Sequence, residues 1–495
     1  MIEGIVTGLI AALTIQNLSF LVIGCIMGTF IGMLPGLGPM TAIALMIPIA
    51  SALPSATGII MMAAVYYGAI FGGSTSAILI NAPGVASTVA TSFDGFPLAQ
   101  QGKAGKALTV AALASFSGGV IGALLLVLAA PYLAGLSLSF HSSDYFALLI
   151  LGLVAVSAFA SQGSNAFAKA MLMTLVGLML ATVGTDETQG VTRFTLGQVD
   201  LIDGISFLLL VMATYALAEA MLAILRGPSD ARDTQISSLS LSKTESKDLA
   251  APVGRSSLLG FFVGLLPGAG ATVASFLAYG SEHRLAGDQK DKFGKGSLRG
   301  LAAPEAANNA AATGSFVPLL SLGIPGSGTT AILLGAFISY GIQPGPMLAI
   351  NEPAVFWGVI VSMWLGNIVL LALNLPLIPY IARLLTIPQH YLLPLILFFS
   401  LLGVYFVSFN TFDIQLMVLF AFFAVIFRLL DYPMAPMILG FILGSLIEEN
   451  LRRALLIHDG SWAFLWQRPL TASILAITLV VLFAPRLVAL LRKKS

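Results

Sequence analysis

Residues 32–48 read GMLPGLGPMTAIALMIP, and the chain contains this stretch twice: residues 264–280 read GLLPGAGATVASFLAYG. Gly32, Leu34, Pro35, Gly36 and Gly38 recur as Gly264, Leu266, Pro267, Gly268 and Gly270. Each copy sets a proline and two glycines in the middle of an apolar run. Proline removes a backbone donor and glycine permits positive φ, so a helix entering the run stops and the chain turns or restarts.

Composition places these interruptions in lipid. The 495 residues are 58% hydrophobic and 9% charged, with a mean hydropathy of +0.96; a soluble domain carries about 25% charge. The expected fold class is an all-α polytopic membrane protein. A net charge of +1 gives no electrostatic case for nucleic acid. The single cysteine, Cys25, permits no intramolecular disulfide and reads as a small buried apolar residue. The start, MIEGIVTGLIAALTI, lacks a basic n-region and is not read as a signal peptide.

Residues 1–15 make an apolar helix short of the roughly 20 residues a crossing needs. Leu18–Pro54 runs apolar around the first motif, and Ala56–Ile80 is apolar up to a second break at Asn81-Ala82-Pro83-Gly84. Gly95–Lys106 reads as a polar loop, and helices follow near 107–130, 144–160, 166–183 and 204–225. Residues 226–252 form a polar linker without apolar periodicity. The second motif comes next, then a basic loop with Arg284, Lys290, Lys292, Lys295 and Arg299, and a break at Gly323-Ile324-Pro325-Gly326. Further helices are expected near 353–380, 390–409, 412–428, 433–450 and 469–490, giving about eleven to twelve spans.

The halves match in order. Gly32 pairs with Gly264 at an offset of 232 (264 − 32), and Pro83 with Pro325 at 242 (325 − 83). This indicates a duplicated unit, residues 1–225 and 253–495 flanking the 226–252 linker. Basic loops face the cytoplasm. The linker and the loop at 284–299 are both basic, so the segment between them enters and returns on one side as a re-entrant hairpin with Pro267–Gly270 at its tip. In the first half the basic loop, Lys103 and Lys106, instead follows the second break. Basic loops that swap places between halves are what opposite insertion predicts. The expected architecture is two inverted-topology repeats, each with a re-entrant hairpin and a broken transmembrane helix. The linker, Lys169, Arg383, Arg428 and the carboxyl terminus fall in the cytoplasm, whereas Arg193, Arg452, Arg453 and Arg468 fall outside.

Non-helical backbone at membrane depth is tolerated only when buried in protein or lining a cavity, and paired interruptions point to a transporter's site. Freed carbonyls bind Na⁺ and half-helix N-termini favour anions. The expected substrate and ion site comprises Pro35, Gly36, Leu37, Gly38, Thr41, Ser74, Thr75, Ser76, Asn81 and Gly84 in the first half. In the second it comprises Pro267, Gly268, Ala269, Gly270, Thr272, Asn308, Asn309, Gly326, Ser327, Thr329 and Thr330. Residues 300–351 hold one charged side chain, Glu305. A carboxylate substrate would therefore be met by backbone N–H groups, hydroxyls and co-transported Na⁺ or H⁺. That favours a cation-coupled carrier of small carboxylates, with no cofactor and no metal beyond a transported Na⁺.

Asp94 and Glu305 are candidate coupling carboxylates, since an intramembrane acid is a functional hypothesis by default. Asp94 reads equally as a cap for the turn at Gly95, and Glu305 as an acid in the first turn of a surface helix. Ser117-Gly118-Gly119 and Gly122 read as helix packing. His141, His283, His390 and His458 are scattered and form no metal set. The chain contains no G-x-x-x-x-G-K-[ST] and no H-E-x-x-H, and no charged ring suited to a channel. Enzyme chemistry is not expected.

Several of these motifs together resemble the large membrane subunit of the tripartite tricarboxylate transporter family. The likeness lies in residues 32–44, Tyr67-Gly68 with Ser74–Leu79, Asn81–Gly84, Asp94-Gly95, Gly264–Gly268, Pro304–Ala310 and Gly323–Gly326. The resemblance implies a multi-pass secondary active carrier of the bacterial inner membrane. Its expected partners are a small four-helix membrane subunit and a periplasmic substrate-binding protein, and its substrates citrate-like tricarboxylates or other organic acids. Paired hairpins and an elevator-type motion come with the wider group that the family resembles. A binding-protein-independent organic-anion carrier or exporter of the same fold is the alternative.

Overall fold

The computed structural model describes residues 2–34, 37–159, 165–186, 189–227, 239–381 and 389–492. Its first half contains helices α1 (Ile2–Ala12), α2 (Ile15–Met33), α3 (Gly38–Ser51), α4 (Ser55–Ile80), α5 (Val89–Leu98), α6 (Ala104–Ser137), α7 (Ser142–Phe159), α8 (Ala166–Ala181) and α9 (Phe207–Arg226). The second contains α10 (Lys243–Gly264), α11 (Gly270–Leu285), α12 (Leu298–Gly314), α13 (Phe316–Leu322), α14 (Gly328–Ser339), α15 (Pro353–Asn374), α16 (Gln389–Ser408), α17 (Thr411–Leu429), α18 (Met434–Ile457) and α19 (Pro469–Arg492). Among the described residues the strand content is one two-residue ribbon, Gly184–Thr185 with Thr192–Arg193.

Eight described helices are long and apolar enough to cross a membrane, and six shorter apolar helices of 10–17 residues accompany them. The protein is an all-α polytopic membrane protein. Helix α1, at 11 residues, is about 16 Å long and shorter than the roughly 30 Å hydrocarbon layer. The most hydropathic window of α4 is 94% buried, those of α16 and α17 only 22%. Helix α4 is therefore central, and the other two present Phe398, Phe399, Phe422 and Phe423 at the periphery.

Both copies of the repeated motif interrupt a helix. Helix α2 ends where Leu34 turns extended (ψ 121°), the conformation a following proline imposes. Helix α3 restarts with Pro39 in its first turn, where a missing N–H costs nothing. Helices α10 and α11 are joined by a short turn in which Gly268 has φ +81°, and the two pack on each other. The second breaks follow α4, capped by left-handed Asn81, and α13, capped by left-handed Gly323. Both are C-terminal caps that satisfy freed carbonyls.

The same close approaches build each half. A Cβ on Gly28 would lie 2.3 Å from the Val65 carbonyl oxygen, on Gly32 2.2 Å from that of Ala69, and on Gly72 2.0 Å from that of Thr29. In the second half the corresponding contacts are Gly260 with Ala307 at 2.3 Å, Gly264 with Ala311 at 2.3 Å and Gly314 with Phe261 at 2.5 Å. Residues of α2 map to α10 at the offset of 232, and residues of α4 to α12 at 242. Only glycine lets these backbones meet, as in membrane helix pairs generally. Between the halves, α3 packs on α14 and α11 packs on the turn at Ala86–Thr88.

Two expectations are corrected. Gly95–Lys106 is not a loop: α5 continues through a π-turn, Ala99–Lys103, into α6, with Gly102 at φ +75° absorbing the kink. Its polar side chains misled because a π-turn keeps most of its backbone bonds while exposing one face. The polar linker is also shorter than residues 226–252, because α10 starts at Lys243; residues 228–238 of it lie outside the described residues, as does Arg383. The start of α10 is fixed by a capping box between Ser242 and Glu245 and by Lys106, whose Nζ donates to Glu245 at 2.7 Å.

Hydrogen bonds from Lys106 and from Ser242 hold the Glu245 carboxyl down to about 2, below its usual value near 4.3. Its stabilising contribution is complete above that usual value and is lost as pH falls toward 2. The pair is partly solvent-exposed, with the side chains 31% and 29% accessible, so it is worth under about 1 kcal/mol. Glu245→Gln at neutral pH should speed amide exchange over residues 242–247 by up to about fivefold, and unchanged protection there would contradict the capping role.

Candidate functional site

In each half the hairpin tip is hydrogen-bonded to the following break. The Gly38 N–H donates to the Gly84 carbonyl at 3.2 Å, and the Gly268 N–H donates to the Gly326 carbonyl at 3.0 Å. Backbone that leaves the helix inside lipid must find such partners. Met40, two residues past the first tip, reaches the second half: its Sδ would lie 3.1 Å from a Cβ on Gly328. A Cβ on Gly270 would lie 3.4 Å from that of Ser327. These contacts link all four interruptions in one chain, from Gly84 through Gly38, Met40 and Gly328 to Gly326 and Gly268. The four interruptions leave helix N-termini at Gly38, Gly270 and Gly328 and helix C-termini at Met33, Ile80, Gly264 and Leu322. The region can therefore offer N–H groups to an anion and carbonyls to a cation.

A second polar centre surrounds Glu305, which is fully buried on α12. Its carboxylate accepts from Ser74 Oγ at 2.8 Å, from Ser115 Oγ at 2.7 Å and from Thr91 Oγ1. The three hydroxyls come from α4, α6 and α5, so one acid of the second half is gripped by three helices of the first. Asn309 Nδ2 donates to the Glu305 carbonyl at 3.1 Å and to Asn308 Oδ1 at 2.7 Å. Among the described residues the ion pairs lie elsewhere, and no Lys or Arg faces this carboxylate.

The remaining expected residues divide by environment. Ser76 Oγ accepts from the Gly84 N–H at 3.1 Å and so braces the first break. Ser327 and Thr330 cap α14 reciprocally, and Thr329 is buried beside them. Thr75, Leu37 and Ala269 are buried, Thr272 is half-buried beyond Gly270, and Pro267 is half-buried at the second tip. Asn81 is exposed, so its left-handed backbone rather than its side chain shapes the break. Thr41 turns away from the tips and donates to the Tyr215 carbonyl at 2.9 Å. That carbonyl belongs to a π-turn, Met212–Leu217, within α9, where a freed acceptor needs a donor. Pro35 and Gly36 lie outside the described residues.

Asp94 is buried but belongs to neither centre. Its Oδ1 accepts from the Gly296 and Ser297 N–H groups at 2.9 and 2.7 Å, holding the approach to α12 rather than the turn at Gly95. Glu305, read as either a surface acid or a coupling carboxylate, sits in the protein interior. Gly118 and Gly122 pack on Ala306 and Ala310, bringing α6 against the helix that carries it.

Sequence reasoning missed Thr91, Ser115, Asn374 and Tyr66. The Tyr66 ring stacks on Phe316 at 6.0 Å, and its hydroxyl lies within hydrogen-bonding reach of Ser315, Ser327 and Thr329. The available signal was weak: single polar residues in apolar helices, each of which also fits ordinary packing. A larger cavity of about 330 Å³ adjoins Pro267, but Leu133, Leu148, Leu265 and Val317 make it apolar. Tyr132 carries the one polar side chain in its lining, a poor match for a carboxylate.

A helical membrane protein with interrupted helices joined around buried polar groups has the construction of a membrane transporter. The profile of the tripartite tricarboxylate transporter TctA family matches residues 18–439, and the chain belongs to that family. A protein of Agrobacterium vitis described as "Uncharacterized 52.8 kDa protein in TAR-I ttuC' 3'region" is 43% identical over 484 residues, covering 97% of this chain and 95% of its own. Another from the same organism, "Uncharacterized protein in TAR-II ttuC' 3'region", is 42% identical over 236 residues, 48% of this chain and 97% of its own. No solved structure matches. The family is one of transporters, not enzymes, and its tripartite character implies partner subunits and a binding protein.

At the second tip, a Cβ on Gly268 would fall 2.4 Å from the Val156 Cα. With φ also positive, Gly268→Leu should abolish uptake while the protein still reaches the membrane, as judged by immunoblotting of membrane fractions beside a transport assay. Normal uptake by this variant would contradict the tight tip.

Proposed function

We propose that this chain is the large permease subunit of a secondary active, cation-coupled system that takes up tricarboxylates or related organic acids across the bacterial inner membrane. The observation that carries this reading is the linkage of four helix interruptions through Gly38–Gly84, Gly268–Gly326 and Met40–Gly328; their free helix ends would serve a substrate anion and a coupling cation. The near-absence of basic residues from these stretches favours neutralising the substrate with a travelling cation, Na⁺ or H⁺. A small four-helix membrane subunit and a periplasmic binding protein would complete the system.

One observation supports duplicated halves and another their inverted insertion. The Gly28–Val65, Gly32–Ala69 and Gly72–Thr29 contacts recur at the sequence offsets already noted, as a duplicated unit would give. The charges segregate as inversion would give. Residues assigned to the cytoplasm contact one another, as in Lys106 with Glu245, Arg255 and Arg299 with Glu282, and Lys169 with the Leu430 carbonyl. Residues assigned outside do likewise, as in Arg193 with Glu448, Arg452 with Asp186 and Arg468 with Asp144. The outward arginines that run against the positive-inside rule are thus all engaged with acids; Arg453 pairs with Glu449. The linker and carboxyl terminus are assigned to the cytoplasm from their basic residues.

Reconstitution into liposomes with and without the partner subunits tests the reading, using labelled citrate and other organic acids. Uptake should need the binding protein and should fall to background when Na⁺ is removed and the proton gradient is collapsed together. Undiminished transport under those conditions would exclude cation coupling, and full uptake without the partners would favour a binding-protein-independent carrier.

A further inference from the structure

Beside Glu305 lies a cavity of about 10 Å³ whose polar lining is Ser74, Thr75, Ser115 and Asn374. Asn374 is 4% exposed. Its Nδ2 donates to the Leu370 carbonyl at 3.0 Å, whereas its Oδ1 has no partner. A buried acceptor without a donor is unfavourable, so this oxygen calls for a positive neighbour. Ser115 Oγ donates to Glu305 Oε2, and Ser74 Oγ has both Glu305 Oε2 and the Ile70 carbonyl as acceptors, so both hydroxyl hydrogens are taken up and lone pairs remain for the cavity. A water could donate to two of these oxygens, whereas a cation takes lone pairs from every oxygen that faces it.

Size and charge narrow the ion. The cavity is at the threshold for a single water. All its polar ligands are oxygens, which suit a hard cation. One carboxylate behind the hydroxyls balances a single charge, whereas Ca²⁺ takes six to eight oxygens, carboxylates among them. Among the described residues the other buried or paired charges lie elsewhere: Asp94 Oδ1 accepts from the Gly296 and Ser297 N–H groups, Glu282 pairs with Arg255 and Arg299, and Lys106 with Glu245.

We infer that the cavity between Ser74, Thr75, Ser115 and Asn374 binds one sodium ion, its charge balanced by Glu305 held behind the two serines. The ion ties α4, α6 and the end of α15 together around the acid of α12. This deepens the cation-coupled reading and rests on it for its role in transport, though not for binding itself.

The test is sodium binding by the purified full-length chain. Thermal melts are recorded as sodium chloride replaces choline chloride at constant ionic strength, with radiolabelled sodium binding in parallel. Sodium should raise the melting temperature saturably. Asn374→Leu and Glu305→Gln should each raise the half-saturating concentration at least about tenfold, the usual scale for altering a metal site's surroundings. Ser115→Ala gives the same readout should Asn374→Leu fail to purify. Absence of a sodium-specific effect on the wild type, or variants that titrate like it, would overturn the site. Uptake of an organic acid by a chain that shows no sodium binding would sink this site and leave the transport reading intact. Sodium binding that the variants weaken, in a chain that moves no organic acid, would do the reverse.

Discussion

The structure depends on the rule that a peptide group inside a bilayer keeps a hydrogen-bond partner. A helix satisfies this automatically, and an interruption does not. The chain breaks its helices at two sites per half and supplies the missing partner each time from the neighbouring break. Gly38 bonds Gly84 and Gly268 bonds Gly326. Because each bond joins a hairpin tip to a broken helix, the interruptions are gathered together, and the donors and acceptors left over face a common region.

The glycines make that gathering affordable in space. Where α2 crosses α4, and α10 crosses α12, a single Cβ would collide with a carbonyl oxygen of the partner helix. Lipid gives no hydrophobic drive to helix association, so close backbone packing has to supply it. Glu305 adds a polar tie of another kind. It lies on the second half, is bound by three hydroxyls of the first, and is fully buried. Loss or gain of charge there would alter contacts on four helices at once.

What could be read from the sequence was what local chemistry writes locally. Proline and glycine in an apolar run announced both breaks, and the recurrence of Gly32 and Gly36 as Gly264 and Gly268 announced their kinship. The partners of Glu305 could not be read, because Ser74, Thr91 and Ser115 precede it by 190 to 231 residues and stand as ordinary serines and threonines in apolar helices. Asn374 closes the third wall of the cavity from a helix end that looked like packing. Thr41, adjacent in sequence to the first tip, was assigned to the site by that adjacency; a π-turn in α9 claims it instead. The polar stretch after Asp94 looked like a loop because sequence polarity does not distinguish exposed helix from coil.

The most direct test of the account is a density map of the complete chain in lipid nanodiscs with a tricarboxylate bound. Helices should end near Met33, Ile80, Gly264 and Leu322, with ligand density in contact with residues from both halves at 37–40 and 326–330. Unbroken helices through the proline–glycine segments, or a ligand seated away from all four, would contradict it.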